Sequence, residues 1–187
     1  MKKALLFVCL LSYMLLSGCA AVVVGSGAAA VAVDKRTAGD MLEDENIEIK
    51  FSYHLSQDES LSNVSHINAT SYNGWLLLSG ETATEENRQA IYNIAINIKN
   101  VDRVFNEIVI DQVSSIGSRT SDTYLTSKVK TQLFTIKNTP SFHTKVVTER
   151  GVVYLMGLIS KEQADQAVEL VRKISGVKKI VKLFDYQ

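Results

Sequence analysis

Between residues 121 and 187 the spacing of apolar positions changes several times, and the same changes occur once earlier in the chain. Leu125, Val129 and Leu133 recur every fourth residue, as on one side of an α-helix, and Ser121 or Asp122 stands where an N-cap is expected. Ile47, Phe51 and Leu55 repeat that spacing. A mostly polar segment follows each, closed by Asn73-Gly74 or by Arg150-Gly151. Asn-Gly favours a tight hairpin turn because both residues tolerate positive φ. The next segments, around 75–79 and 152–156, are almost wholly apolar, as in a strand covered on both faces. Thr82-x-x-Glu85 and Ser160-x-x-Gln163 have the spacing of capping boxes. The stripes Ala90, Ile91, Ile94, Ile98 and Ala164, Ala167, Val168, Val171 then predict helices, with Gly176 as a left-handed end to the second. Residues 104–110 and 180–186 read as closing strands.

The two halves align at a period of about 77 residues, which indicates duplicated small domains and not a solenoid. Asn73 to Gly80 matches Arg150 to Gly157, and the same offset pairs Glu85 with Glu162, Gln89 with Gln166 and Ala90 with Ala167. Val101 and Val104 match Val177 and Ile180 after a one-residue deletion. The predicted class is α+β: two tandem units, each αββαβ, with two helices on a three-stranded mixed sheet. Units this small are marginal alone, so the copies are expected to pack together. Residues 45–113 and 121–187 are assigned to the two domains, with 114–120 as linker.

The N-terminus has a different pattern. Lys2 and Lys3 precede an uncharged run over 4–16 that is apolar but for Ser12, and small residues then lead to Cys19. That is the layout of a secretory signal over residues 1–18. An uncleaved transmembrane helix is the alternative, since no charge interrupts 4–33 and about 20 apolar residues span a bilayer. Gly25-Ser26-Gly27 argues against it, and residues 19–44 read as a tether. With Cys9 in the signal, only Cys19 remains, so neither a disulfide nor a cysteine metal site is available to the mature chain.

A formal net charge of zero hides an asymmetry. Residues 34–112 carry 6 Lys/Arg against 14 Asp/Glu, whereas 113–187 carry 12 against 6. The basic half suits an anionic surface, and the two halves also suit each other. On the first helix of the second copy, the side opposite Leu125, Val129, Leu133 and Gln132 collects Tyr124, Ser127, Lys130, Thr131 and Phe134, with Lys128 at its border. Tyr belongs at a membrane interface, Phe enters the acyl boundary, and each Lys near an anionic surface contributes about 1 kcal/mol. The alternative is that Tyr124 and Phe134 pack against the other domain. The first copy offers Asn46, Ile49, Ser52 and Tyr53, flanked by Glu45 and Glu48, a side that anionic headgroups would repel.

Val153-Tyr154-Leu155-Met156-Gly157, Ala167 and Gly176-Val177-x-x-Ile180 resemble the signature of the BON domain, named for bacterial osmotic-stress and nodulation proteins. The first copy keeps Leu76 to Gly80 and Val101-x-x-Val104, with Asn100 in place of the glycine. Leu16-Ser17-Gly18-Cys19 resembles the lipobox of bacterial lipoproteins, which implies acylation of Cys19. In such lipoproteins Ala20 after the cysteine implies sorting to the outer membrane. Together these features resemble outer-membrane lipoproteins with two BON domains. That resemblance implies binding of anionic phospholipid of the phosphatidylglycerol type through the second domain, and a part in envelope integrity and cell division. A competing expectation is an adaptor that docks on outer-membrane assembly machinery or a regulator of peptidoglycan hydrolysis.

No catalytic constellation is legible. His54, His66 and His143 are scattered, and no Gly-rich phosphate loop or nucleophile elbow occurs. Neither enzyme activity nor a cofactor or metal is expected. Glu85-Glu86 reads as helix capping, and Lys178-Lys179 with Lys182 is a basic cluster for which nucleic acid is not the expected partner.

Overall fold

The computed structural model describes residues 36–135 and 144–187. The signal, Cys19 and the tether up to residue 35 lie outside them. Eleven elements follow among the described residues: α1 Ala38–Ser56, α2 Glu59–Ser62, β1 Ser65–Tyr72, β2 Trp75–Thr82, α3 Glu85–Ile96, β3 Arg103–Ile110, α4 Ile116–Leu133, β4 Thr144–Glu149, β5 Val152–Ile159, α5 Lys161–Arg172 and β6 Lys179–Tyr186. β1 and β2 pair antiparallel and β3 joins β2 in parallel. β4, β5 and β6 repeat this arrangement. The expected αββαβ unit is therefore present twice, with the short α2 added in the first.

Helices cover one face of each sheet. Ile47, Phe51, Leu76, Leu78, Ile91, Ala95 and Ile108 form the first core. Leu125, Val129, Leu133, Val153, Leu155, Ala167, Val171 and Phe184 form the second. The other faces of the two sheets meet each other. Tyr72 and Leu77 pack with Tyr154, Met156 and Leu183, flanked by Trp75, Phe105, Val147 and Val181. Side chains alternate along a strand, so β2 sends Leu76 and Leu78 to its helices and Leu77 to the other domain. This is why β2 is apolar on both faces from Trp75 to Leu78, and β5 along its whole length. Burial against Met156 and Leu77 also pushes the Tyr154 phenol well above its ordinary pKa.

Ion pairs rim this interface and join the acidic half to the basic one. Lys145 Nζ donates to Glu48 Oε1 at 2.6 Å and to the Ser71 carbonyl at 3.0 Å. Arg150 pairs with Asp111 at 2.7 Å, and Asn68 donates to Glu149 at 2.8 Å. Part of the charge asymmetry therefore serves docking between the copies.

Three local expectations are corrected. α1 begins at Ala38 behind a Thr37–Asp40 capping box, so residues 38–44 are helix and not tether. α4 begins at Ile116 with Ser115 as N-cap, so neither Ser121 nor Asp122 caps it and most of 114–120 is helical. The N-cap of α3 is Thr84 and not Thr82, whose residue ends β2; the expected box at Ser160–Gln163 is present. The helices α3 and α5 consequently align at an offset of 76, one less than β2 and β5. The missing residue lies in the connection before α5, which shifts the pairings of Glu85, Gln89 and Ala90 by one.

Each hairpin turn is held by a buried carboxylate. Asn73 and Gly74 have φ 52° and 75°, and Arg150 and Gly151 have φ 52° and 79°, the two positive values of a type I′ turn. Asp44 accepts from the Asn73 and Gly74 amides at 2.8 and 3.0 Å, and Asp122 accepts from those of Arg150 and Gly151 at 2.8 Å each. Asn100, at φ 69°, takes the left-handed position that Gly176 takes at 105°.

Candidate membrane-binding helix

α4 is built from poor helix formers, with Gly117 and seven Ser or Thr between Ser118 and Thr131. Its hydroxyls return to the helix backbone. Thr120, Thr123, Ser127 and Thr131 donate to the carbonyls of Ile116, Arg119, Thr123 and Ser127, at 2.9–3.1 Å. Serine and threonine on its outer side thus have their donors satisfied internally, and entering a medium of low polarity strands none of them.

Packing fixes which side faces out. Asp122, Leu125, Val129 and Leu133 are buried against β4 and α5, and Thr126 donates to Thr148 at 2.8 Å. The opposite side is open: Tyr124 is 70% exposed and Phe134 55%. Ser127, Lys130 and Thr131 are exposed between them, and so is Gln132, which the helical angle had placed on the core side. Neither ring takes part in the contact between the sheets, which lies across the sheet from α4. Lys128 is half-buried and donates to the Ser175 carbonyl at 3.3 Å, tying α4 to the loop after α5. The structure thus brings Tyr124, Ser127, Lys130, Thr131 and Phe134 onto one open face and turns Lys128 partly aside.

The corresponding face of α1 carries exposed Asn46, Ile49, Ser52 and Tyr53 beside exposed Glu45. Glu48 is instead half-buried and engaged by Lys145 and the Ser71 amide. Among the described residues no group of three His, Cys, Asp or Glu is placed to hold a metal, and no helix is long and apolar enough to cross a membrane.

The sequence reading missed Asp44 and gave Asp122 only as a candidate N-cap, not as the clamp on the turn. Asp-x-x-Ile-x-x-x-Phe-x-x-x-Leu from Asp44 and Asp-x-x-Leu-x-x-x-Val-x-x-x-Leu from Asp122 were the available signal. Each puts a carboxylate on the buried stripe, where it needs partners from elsewhere.

With the two-copy geometry in view, the model of the BON domain matches residues 43–112 and 121–187. The chain belongs to the BON-domain family. It is 35% identical over 173 residues to the Haemophilus influenzae protein named Outer membrane lipoprotein DolP, covering 91% of this chain and 90% of that one. It is 34% identical over 154 residues to the 21 kDa hemolysin of Actinobacillus pleuropneumoniae, covering 82% and 79%. The Escherichia coli Osmotically-inducible protein Y is 26% identical over 145 residues, covering 76% and 72%. Among BON-domain proteins, this chain groups with the outer-membrane lipoproteins.

Proposed function

We propose that this BON-domain lipoprotein is anchored through acylated Cys19 to the periplasmic face of the outer membrane and binds anionic phospholipid through α4. The open face bearing Tyr124 and Phe134 carries this reading. Two exposed aromatics, about ten residues apart on one helix and separated by back-bonded hydroxyls and Lys130, form an interfacial surface. A ring at each end enters the headgroup boundary while Lys130 meets phosphate. Binding of this kind concentrates the protein on regions rich in phosphatidylglycerol-like lipid, in support of envelope integrity and cell division. Neither step needs a catalytic group or cofactor.

Replacing Tyr124, Lys130 and Phe134 by Glu in the chain from Ala20 onward tests it. All three buried clusters use residues from Ile47 onward, so this chain keeps the complete cores. Binding to phosphatidylglycerol micelles should be abolished with the circular dichroism spectrum unchanged. Full binding by the folded triple variant refutes the assignment.

An adaptor role is supported by the first domain, where Leu42, Ile49 and Tyr53 are 62%, 58% and 60% exposed on α1. A cross-linked protein captured equally by the triple variant, and lost when these three side chains become Ser, would establish it.

A further inference from the structure

A second basic surface lies around the corner from α4. Between α5 and β6 a groove of about 310 Å³ has Val168, Val177 and Ile180 as its apolar lining and Arg172, Lys178, Lys179 and Lys182 as its cations. The three lysines are exposed, and among the described residues none has a side-chain acid partner. Arg172 pairs with Glu169 at 2.8 Å in the open.

The fold does not require these charges, because the first copy builds the same backbone without them. Lys178 donates its amide to the Gly151 carbonyl at 2.9 Å, and Asp102 donates to that of Gly74 at the same distance. Lys179 stands opposite Val152 as Arg103 stands opposite Trp75, and Lys182 opposite Leu155 as Asn106 opposite Leu78. Arg172 and Ile96 each end the second long helix of their unit. The counterparts Ile96, Asp102, Arg103 and Asn106 sum to no charge, and Arg103 stacks over the Trp75 ring at 4.8 Å. Four cations in the second copy thus replace a neutral set in the first.

Lys178 also connects this groove to the α4 face. Its stem crosses Gly151, and it lines a hollow with Ser121 and Tyr124. We propose that the α5–β6 groove is a second anion site, taking phosphates of lipid headgroups in the same membrane on which α4 lands. This rests on the membrane reading of α4: the aromatic face supplies insertion, and the groove supplies selection for anionic lipid and fixes the domain's tilt. Three lysines without acid partners complement a phosphodiester anion, and the apolar lining of Val168, Val177 and Ile180 takes the methylene groups next to it.

The test uses the chain from Ala20 onward and vesicles of phosphatidylcholine, alone or mixed with phosphatidylglycerol. In Lys178→Gln/Lys179→Gln/Lys182→Gln, affinity for the mixed vesicles at low salt should fall on the order of a hundredfold, about fivefold per charge. Affinity for phosphatidylcholine alone should be unchanged, and phosphatidylglycerol micelles should still shift α4 amides in NMR spectra. Undiminished binding of the mixed vesicles by the lysine variant overturns the groove and leaves α4 standing. Undiminished binding by Tyr124→Glu/Phe134→Glu overturns α4 instead. Titration with inorganic phosphate decides the source: if it saturates the 178–182 amide shifts as micelles do, the occupant is a free anion and the lipid assignment falls.

Discussion

Asp122→Ala separates two physical roles that one residue could hold. As a residue of a helix interior, Asp is a poor choice, and Ala would stabilise α4 by about 0.5 kcal/mol. As the clamp on the Arg150-Gly151 turn, Asp122 accepts two amide hydrogen bonds at 2.8 Å, one of them fully buried. Bonds to a charged acceptor contribute about 1.5–3 kcal/mol each, and removing the acceptor strands the buried Gly151 amide. Set against that are the relieved desolvation of the carboxylate and access of water to the half-buried Arg150 amide. The expected net loss is about 2–4 kcal/mol, opposite in sign to the propensity effect. Asp122→Asn keeps one accepting oxygen and should lose about half as much. Asp44→Ala should lose more than either, because Asp44 also accepts from Ser71 Oγ at 2.6 Å and pairs with Arg36 at 2.8 Å.

Urea denaturation reports these losses as shifts in midpoint at an unchanged slope. Trp75, the sole tryptophan, follows the first domain, and far-ultraviolet circular dichroism follows both. An Asp122→Ala chain as stable as its parent would refute the clamp. It would leave the turns held by Asn73-Gly74 and Arg150-Gly151 chemistry alone.

Burial pushes Glu149 above the ordinary carboxylate range, against the pull of the Asn68 amide and Arg119 and with help from Glu81 and Asp122. The folded state therefore holds this proton to higher pH than the unfolded chain. The associated stability is complete below the ordinary Glu value and is lost as pH rises through the raised one. Glu149→Gln, which keeps an acceptor for Asn68, should raise the urea midpoint at pH 7 and lose that advantage near pH 4; a lowered midpoint at pH 7 refutes it. Met156→Glu places a carboxylate in the apolar cluster shared by the two sheets, which should undock the domains while each retains its helix-covered core. Small-angle scattering should then show a more extended particle, and an unchanged profile refutes the shared cluster as the bond between the copies.

What the sequence could disclose follows from whether a residue's partners are near it in the chain. The stripe Leu125, Val129, Leu133 settles by itself which side of α4 faces its own core, so the placement of Tyr124 and Phe134 on the opposite side was legible. That the other domain leaves that side open was not, because it depends on the contact between the two sheets. The start of α4 was not, because residues 116–121 bury nothing and are rich in hydroxyls, leaving no periodicity to read. Asp122 read as a cap because a carboxylate on an apolar stripe makes sense only through the turn at Arg150-Gly151, 28 residues on. The same logic separates the two basic features of the second domain. Lys128 is local to α4 by angle, yet its ammonium goes to Ser175, a partner that no pattern within the helix announces. Lys178, Lys179 and Lys182 formed a visible cluster whose meaning depended on Arg172 from α5 and on the neutral counterparts in the first copy. A duplicated fold supplies its own control. Where both copies keep a feature, as with Asp44 and Asp122, the backbone demands it. Where one copy alone acquires charge on an unchanged backbone, the demand lies beyond its own fold. Lys145 and Arg150 meet acids of the first copy. Lys178, Lys179 and Lys182 meet no acid among the described residues, and the anion proposed for them comes from outside the chain.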